Sequence, residues 1–393
     1  MNMISVGIFT YSSKPRGSVV HAACLAEALQ RQGARATLYA LSKAGDDFYR
    51  TVSCPLRLIR AESAPTDVDA LIRQRIAEFG AGIRSLRVAH RVVHAEDCLA
   101  ANALAAAKAD LGGAFMVRTI HHIEHFESPY LLACQERSIA SAELLLSVSE
   151  ATRREVRAAF GREATVISNG VDLNRFAAPH ATDIAAVRAK LNVLPADTLI
   201  LSVGGVESRK NSQNALEAVA LAYAEHPNLR WVVVGGASIW EHEAYRAEFA
   251  RRLAELPGGL RARITILSAV PETELTALYQ ASSILLCPSL QEGFGLCVLE
   301  ALAARSAVIV PHGAPFDEYL DSTCASFVDP HSVSDIARGL LGLLRDSGDR
   351  ARLKQAGHER ARRYSWDRVA ERHLTRYEAA LRRAEPLAQR ELL

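Results

Sequence analysis

Leu199-Ile200-Leu201-Ser202-Val203 is followed by Gly204-Gly205 and then by Val206-Glu207-Ser208-Arg209-Lys210-Asn211. An aliphatic run closed by glycines and leading into a helical pattern reads as a buried parallel strand, a tight turn and a crossover helix. Downstream the unit repeats: Leu229–Val234, Ile264–Leu267, Ile284–Cys287, Ala307–Val310 and Ser326–Val328 are strand-like, and most spacers are long enough for a helix. Upstream, the same alternation has already run once, through Met3–Phe9, Ala36–Leu41, Leu56–Ala61, Phe115–Ile120, Leu144–Val148 and Ala164–Ser168. Val19–Gln32 carries Leu and Ala at helical spacing, with Gly33 placed to take the left-handed cap position. The pattern predicts an α/β chain of two doubly wound parallel-sheet domains.

The boundary falls in the turn-rich, aperiodic stretch Asn174–Asp183, giving a first domain over 1–175 and a second over 176–365. After about Pro330 only helical patterns remain. A length of 393 residues suits two or three domains of ~150 residues. Hydrophobic residues at 49% and charged residues at 23% exclude wholesale disorder. A net charge of +2 lacks the basic excess of a chain that binds nucleic acid through a general field, so no nucleic-acid partner is expected. No apolar run approaches the ~18 residues of a membrane span. Met1–Val6 lacks the basic and apolar regions of a secretion signal, so the cytoplasm is the expected compartment. The seven cysteines include no Cys-x-x-Cys and suggest neither a disulfide framework nor a structural zinc site.

Five segments carry chemistry. Thr10–Ser18 is a small-residue turn that opens a helix; it reads either as an anion site or as a plain turn with Ser18 as N-cap. With Gly17 as its only glycine, it does not make the G-x-G-x-x-G fingerprint of a nicotinamide site. Thr119-Ile120-His121-His122-Ile123-Glu124-His125 lies at a strand tip, where ligands of open α/β sheets gather. It suits a hydrogen-bonding histidine better than a metal, because the His-Glu-x-x-His order is absent. His94-Ala95-Glu96-Asp97 is read as following a strand, either lining the same place or capping the next helix. Arg209 and Lys210 stand at a helix start, where cations oppose the dipole unless an anion such as a diphosphate sits there; the alternative is a solvated pair on a loop. Finally, Gln291-Glu292-Gly293-Phe294-Gly295-Leu296-Cys297-Val298-Leu299-Glu300-Ala301 sets two glycines before a helix and two carboxylates eight residues apart. The helix amides suit a phosphate, Glu292 a ligand's reactive end and Glu300 a vicinal hydroxyl pair.

Glu292 to Ala301 resembles the E-G-F-G-L-x-x-L-E-A motif of the family-4 retaining glycosyltransferases of the GT-B fold. Val166–Phe176 is similar to that family's I-P-N-G-V-D-x-x-x-F segment, Val203–Asn211 to V-G-R-L-x-x-x-K-N, and Val232–Gly235 to its I-V-G turn. Val270–Leu278 resembles the segment before the helix that borders the base. The likeness covers nearly the whole chain. It implies two Rossmann-like domains facing across a cleft, with a C-terminal helix over 366–393 returning to the first domain. It also implies transfer of a hexose-like sugar from a UDP or GDP sugar, with retention, to an unidentified sugar, lipid-linked or small-molecule acceptor.

By the resemblance, Lys210 neutralises the donor diphosphate and Glu300 holds the ribose hydroxyls, while Glu292 and His121 lie beside the donor sugar. Amides of Gly293, Phe294, Gly295 and Leu296 meet sugar and phosphate oxygens, Gly17 and Ser18 form the loop that approaches from the first domain, and Gly235 and Val270 border the donor. His121, Lys210 and Glu292 are thus the expected catalytic residues. Two positions depart from the pattern: Gly205 stands for the usual arginine and Ser18 for the second loop glycine. Arg209 is the candidate replacement cation. His122 stands where the family has an aspartate.

No cofactor or metal is expected, since cations and helix dipoles do the neutralising and no Asp-x-Asp lies at a strand end. A nucleotide-sugar epimerase of GT-B shape and a non-catalytic nucleotide-sugar-binding protein are the alternatives. Residues 350–393 hold 12 Lys/Arg against six Asp/Glu. They carry a further expectation of weak contact with the inner membrane face, set against simple docking of Trp366, Val369, Leu374, Tyr377 and Leu381 on the first domain.

Overall fold

A computed structural model describes residues 3–43, 46–63, 65–177, 181–235 and 243–384. The chain forms two compact units: the first takes residues 1–170 and 366–393, the second 171–365.

The first unit runs β1 (Ser5–Thr10), α1 (Gly17–Arg31), β2 (Arg35–Lys43), β3 (Leu56–Ala61), α2 (Val68–Ser85), β4 (Val92–Ala95), α3 (Cys98–Ala106), β5 (Phe115–Ile120), α4 (Pro129–Ala140), β6 (Leu144–Ser147), α5 (Glu150–Phe160) and β7 (Thr165–Val166). Its sheet is parallel throughout, in the order β3-β2-β1-β4-β5-β6-β7. The order reverses between β1 and β4, so a crevice-forming switch point lies at their C-terminal ends. β4 escapes the periodicity argument because it is only four residues long and one of them is the polar His94. His94 therefore lies inside a strand rather than after one.

α1 buries Val19, Ala22, Ala23, Leu25, Ala26 and Leu29 along one face and stops at Gln32, after which Gly33 turns left-handed at φ +85°. Its N-cap is Arg16, not Ser18, and no side chain caps it. Phe9 stacks on Tyr39 with ring centroids 4.5 Å apart and leans on Phe79, at the centre of a buried apolar cluster. Burial of such a side chain is worth roughly 1.5–3 kcal/mol.

The second unit runs α6 (Ala181–Lys190), β8 (Thr198–Val203), α7 (Ser212–Glu225), β9 (Leu229–Val234), α8 (Glu243–Glu255), α9 (Gly258–Arg261), β10 (Ile264–Leu267), α10 (Glu272–Ala281), β11 (Ile284–Leu286), α11 (Leu296–Ala303), β12 (Ala307–Pro311), β13 (Ser326–Val328), α12 (Val333–Arg345) and α13 (Ser347–Ala361). Its parallel sheet is ordered β10-β9-β8-β11-β12-β13, with the switch between β8 and β11. Trp231, Leu216, Ile284, Ile309 and Leu340 form the middle of its core. The unit begins at Val171, ahead of the 175/176 division read from sequence. The cause is the turn Asn174–Phe176, whose Phe176 is buried edge-on against Tyr279 of α10. The unit's two ends meet, with the Val171 amide donating to the Tyr364 carbonyl at 2.7 Å.

The last described helix, α14 (Trp366–Ala384), belongs to the first unit and packs along α1. It buries Trp366, Val369, Ala370, His373 and Tyr377, whereas Leu374 and Leu381 are only half-buried. Residues 385–393 of the sequence-read tail lie outside the described residues. Among the described residues no helix is long and apolar enough to cross a membrane.

Candidate functional site

In the second unit, β8 ends at Gly204-Gly205 and a short turn delivers Lys210 just ahead of α7. Gly204 has φ +128°, and a Cβ there would stand 2.4 Å from Lys210 Cε, so the lysine stem crosses the space a side chain would fill. Lys210 Nζ is paired with Glu292 Oε1, to which Ser289 Oγ also donates at 3.0 Å. Arg209 approaches the other Glu292 oxygen at 3.8 Å and holds Glu207 at 2.7 Å.

Burial opposes charge on both Lys210 and Glu292, and their attraction outweighs it. Lys210 is held above the ordinary lysine value and Glu292 below the ordinary carboxylate value, Arg209 adding to the latter. Both are therefore ionised at neutral pH. Gly205 is left-handed at φ +79°, and a Cβ on neighbouring Gly235 would meet its amide at 2.3 Å. An arginine at Gly205 would be strained; Arg209, on the turn, is a second cation within 4 Å of Glu292.

Eight residues from Glu292, in α11, Glu300 is held at both oxygens: Oε1 accepts from Arg175 Nη1 at 2.9 Å and Oε2 from the Tyr279 hydroxyl at 2.7 Å. Arg175 also donates to Thr276 at 2.6 Å. Gly295 at φ +89° is the N-cap of α11, and the Phe294 ring is buried, stacked on Tyr319 at 4.6 Å. Phe294 thus anchors the loop from inside, and what it offers a ligand is backbone. Leu296, the first residue of α11, is partly exposed, as is Gly293 before it. Gly235 follows β9, and Val270, partly exposed, lies between β10 and α10.

In the first unit, Gly17 begins α1 with no heavy atom within 4 Å of a would-be Cβ, and Ser18 lies in the same bare first turn. His121 follows β5 and turns to Glu96, which follows β4: His121 Nε2 is 3.1 Å from Glu96 Oε2. His21 of α1 places Nδ1 2.9 Å from the same oxygen. Asp97 separates from these and caps α3, accepting from Ala100 N at 2.7 Å and Tyr11 N at 2.8 Å. Burial pushes the imidazoles of His94 and His121 down to about 4, so both are neutral at pH 7. Glu96 is held well below its ordinary value, the neighbouring histidines overcoming its burial.

The sequence cluster around His121 does not converge: His122 pairs with Glu124 at 2.7 Å on the surface, while His121 faces inward. His21, Glu96 and His121 are the one grouping among the described residues with the ligand types and spacing to hold a cation. The Asp-x-Asp at Asp67-Val68-Asp69 serves structure, Asp67 capping α2 and Asp69 accepting from Ser128. Sequence reasoning missed His21, Arg175, Tyr279 and Ser289. His21 is masked by its helical apolar face, and Arg175 stands in a stretch that reads as linker.

The family model for Glycosyltransferase Family 4 matches residues 15–175, and that for Glycosyl transferases group 1 matches residues 183–360. The chain belongs to the family-4 glycosyltransferases of the GT-B fold. It is similar to proteins named D-inositol 3-phosphate glycosyltransferase. With that of Kribbella flavida it shares 29% identity, over 65% of this chain and 60% of the relative; with that of Streptomyces bingchenggensis, 33%, over 63% and 55%. The chain thus spans little more than half the length of these relatives. Among solved structures, it superposes on Anabaena HepE in complex with UDP-glucose with a TM-score of 0.78 at 18% identity, covering 96% of this chain and all of that one. Sucrose-phosphate synthase from Thermosynechococcus elongatus gives 0.78 at 20% identity, covering 97% of this chain and all of that one. At such identities the likeness is one of fold, and it gives this family-4 glycosyltransferase the GT-B fold.

Proposed function

We propose that this chain transfers a sugar from a nucleotide-diphosphate sugar to a hydroxyl acceptor, with retention at the anomeric carbon and without a required divalent metal. The observation that carries the reading is the largely buried Lys210–Glu292 pair beside the N-terminal turn of α11, with Glu300 oriented by Arg175 and Tyr279. Lys210, Arg209 and the α11 amides are suited to the charge that gathers on a leaving diphosphate. Glu300, whose oxygens are already aimed, is suited to a ribose hydroxyl pair. The resemblance adds Glu292 and neutral His121 at the donor sugar, with the leaving phosphate taking the acceptor's proton.

The relatives' name makes D-inositol 3-phosphate the first acceptor to try, and the HepE complex makes UDP-glucose the first donor. The test incubates the full chain with UDP- and GDP-sugars and such acceptors, with and without EDTA, and reads the product anomer by NMR. An α-linked product from an α-linked donor, formed equally with EDTA, is expected. An inverted product overturns retention. Activity lost to EDTA and restored by manganese or magnesium overturns metal independence. Release of a C2-epimerised sugar from donor alone would make the chain an epimerase.

A further inference from the structure

We propose that Glu96 is the positioning group for His121: it holds the imidazole as the Nε2–H tautomer, leaving Nδ1 as a lone-pair acceptor, and sets a negative charge behind the ring. The inference rests on the reading of His121 as the residue that meets the donor sugar.

The Glu96 side chain is fully buried, with its amide held by the Phe9 carbonyl at 2.9 Å, so the carboxylate stands at the switch point between β1 and β4. A fully buried carboxylate is a costly choice for packing alone, even with the buried Arg118 guanidinium near enough to attract it. Its ion-pair partners among the described residues are histidines only: His21, His94 and His121.

His94 is occupied elsewhere, with Nδ1 2.7 Å from the Tyr377 hydroxyl and Nε2 2.7 Å from Thr119 Oγ1. Glu96 Oε1, 3.6 Å from that Nε2, accepts no hydrogen bond from the described residues. That leaves His121 Nε2 as the hydrogen-bond partner of Oε2 among the described residues, while His21 Nδ1 stands 2.9 Å from the same oxygen without the alignment of a hydrogen bond. His21 is locked in place, fully buried and packed edge-on against Trp366 at 5.1 Å and against His121 at 4.9 Å.

His121 is 13% exposed, while the side chains of His21, His94 and Glu96 are all fully buried, so the cluster presents its one reachable ring to a ligand. An ionised carboxylate accepts only, so the nitrogen facing it carries the hydrogen and the other ring nitrogen keeps its lone pair. A neutral imidazole in that tautomer, with a fixed anion behind it, favours positive charge building on the atoms it faces. This is the charge a sugar ring acquires as its diphosphate departs.

The experiment reads ring-nitrogen shifts of the full chain labelled with ¹⁵N-histidine, with His121→Ala assigning the resonance. Turnover and UDP affinity are measured alongside for Glu96→Gln, His121→Ala and the double variant. In the unmodified protein His121 is expected as the Nε2–H tautomer at neutral pH, and in Glu96→Gln as a mixture. Glu96→Gln should lower kcat on the order of 10–100-fold with KM for the donor and UDP affinity unchanged, as for other orienting partners of a histidine. The double variant should be no slower than His121→Ala, because the two act as one unit.

An Nδ1–H tautomer in the unmodified protein overturns the proposal without any variant. So does a Glu96→Gln loss that multiplies onto that of His121→Ala, or cobalt(II) binding that shifts the His21 and His121 resonances at stoichiometric metal. If no sugar transfer is found at all, the reading of His121 as a catalytic residue fails, while the tautomer still decides what Glu96 does.

Discussion

Lys210 and Glu292 depend on each other. Either charge alone in that buried place is costly, since removing one partner of such a pair typically destabilises by about 3–5 kcal/mol. Lys210→Ala is therefore expected to lower stability by about 3 kcal/mol in denaturant melts. Glu292→Gln on the same background should restore part of that, because the orphaned carboxylate is gone. UDP affinity should fall by roughly 1.5–3 kcal/mol in Lys210→Ala, read by calorimetry at a temperature where the variant is folded. Gly204→Ala gives the same defect without touching a charge, since its Cβ would displace the lysine stem. Unchanged affinity in both folded variants removes the lysine from the diphosphate. Arg175→Ala should weaken UDP binding by about 1.5 kcal/mol, roughly tenfold, by freeing one Glu300 oxygen. Charge and spacing made Lys210, Glu292 and Glu300 legible in the sequence, as two cations at a helix start and carboxylates around another. Arg175 was not legible, because nothing in Asn174-Arg175-Phe176 reveals that the turn folds onto α10 and α11.

At the scale of the element, α14 carries more than its composition shows. Its apolar stripe could be read from the sequence, but His373 could not be placed in it, since a histidine at helical spacing reads as polar surface. In the structure it is buried, with Nδ1 2.8 Å from its own helix's Val369 carbonyl. Burial pushes its imidazole down to about 3, and those of His94 and His121 to about 4. The unfolded chain then binds more protons than the native one between about pH 6.5 and 4, so stability falls as pH falls through that window and is unaffected above it. Each histidine contributes a slope of about 1.4 kcal/mol per pH unit. Urea midpoints should drop from pH 7 to pH 5, and His373→Leu should make the drop shallower. An equal drop in that variant would show that His373 is not among the groups responsible. The same stripe bears on membranes. With Trp366, Val369 and Tyr377 buried in the first unit and Leu374 and Leu381 half-buried, α14 keeps little apolar surface to insert, and the full chain is expected not to float with anionic vesicles.

Across the whole molecule, β3, β5, β9, β10 and β13 lie where the sequence places them, because each is an apolar-rich run between turn formers. The unit border was less legible, because a border is decided by tertiary packing and not by turn composition. The second unit is one unbroken stretch closed by the Val171–Tyr364 hydrogen bond. Residues 171–365 alone are therefore expected to melt cooperatively and to gain thermal stability from UDP. A fragment that stays unfolded would show that this stretch cannot stand by itself.

The discontinuity of the first unit also sets an order of events during synthesis. A chain made from its N-terminus offers β1 to β7 to the solvent long before α14 exists, because the whole second unit is translated in between. Domains generally fold as they emerge. The second unit can close on schedule, whereas the groove on α1 waits, its alanines and leucines open, until α14 leaves the ribosome. A message cut short just after codon 365 would release a protein with a finished second unit and an exposed apolar seam on the first, a form suited to capture by chaperones and proteases.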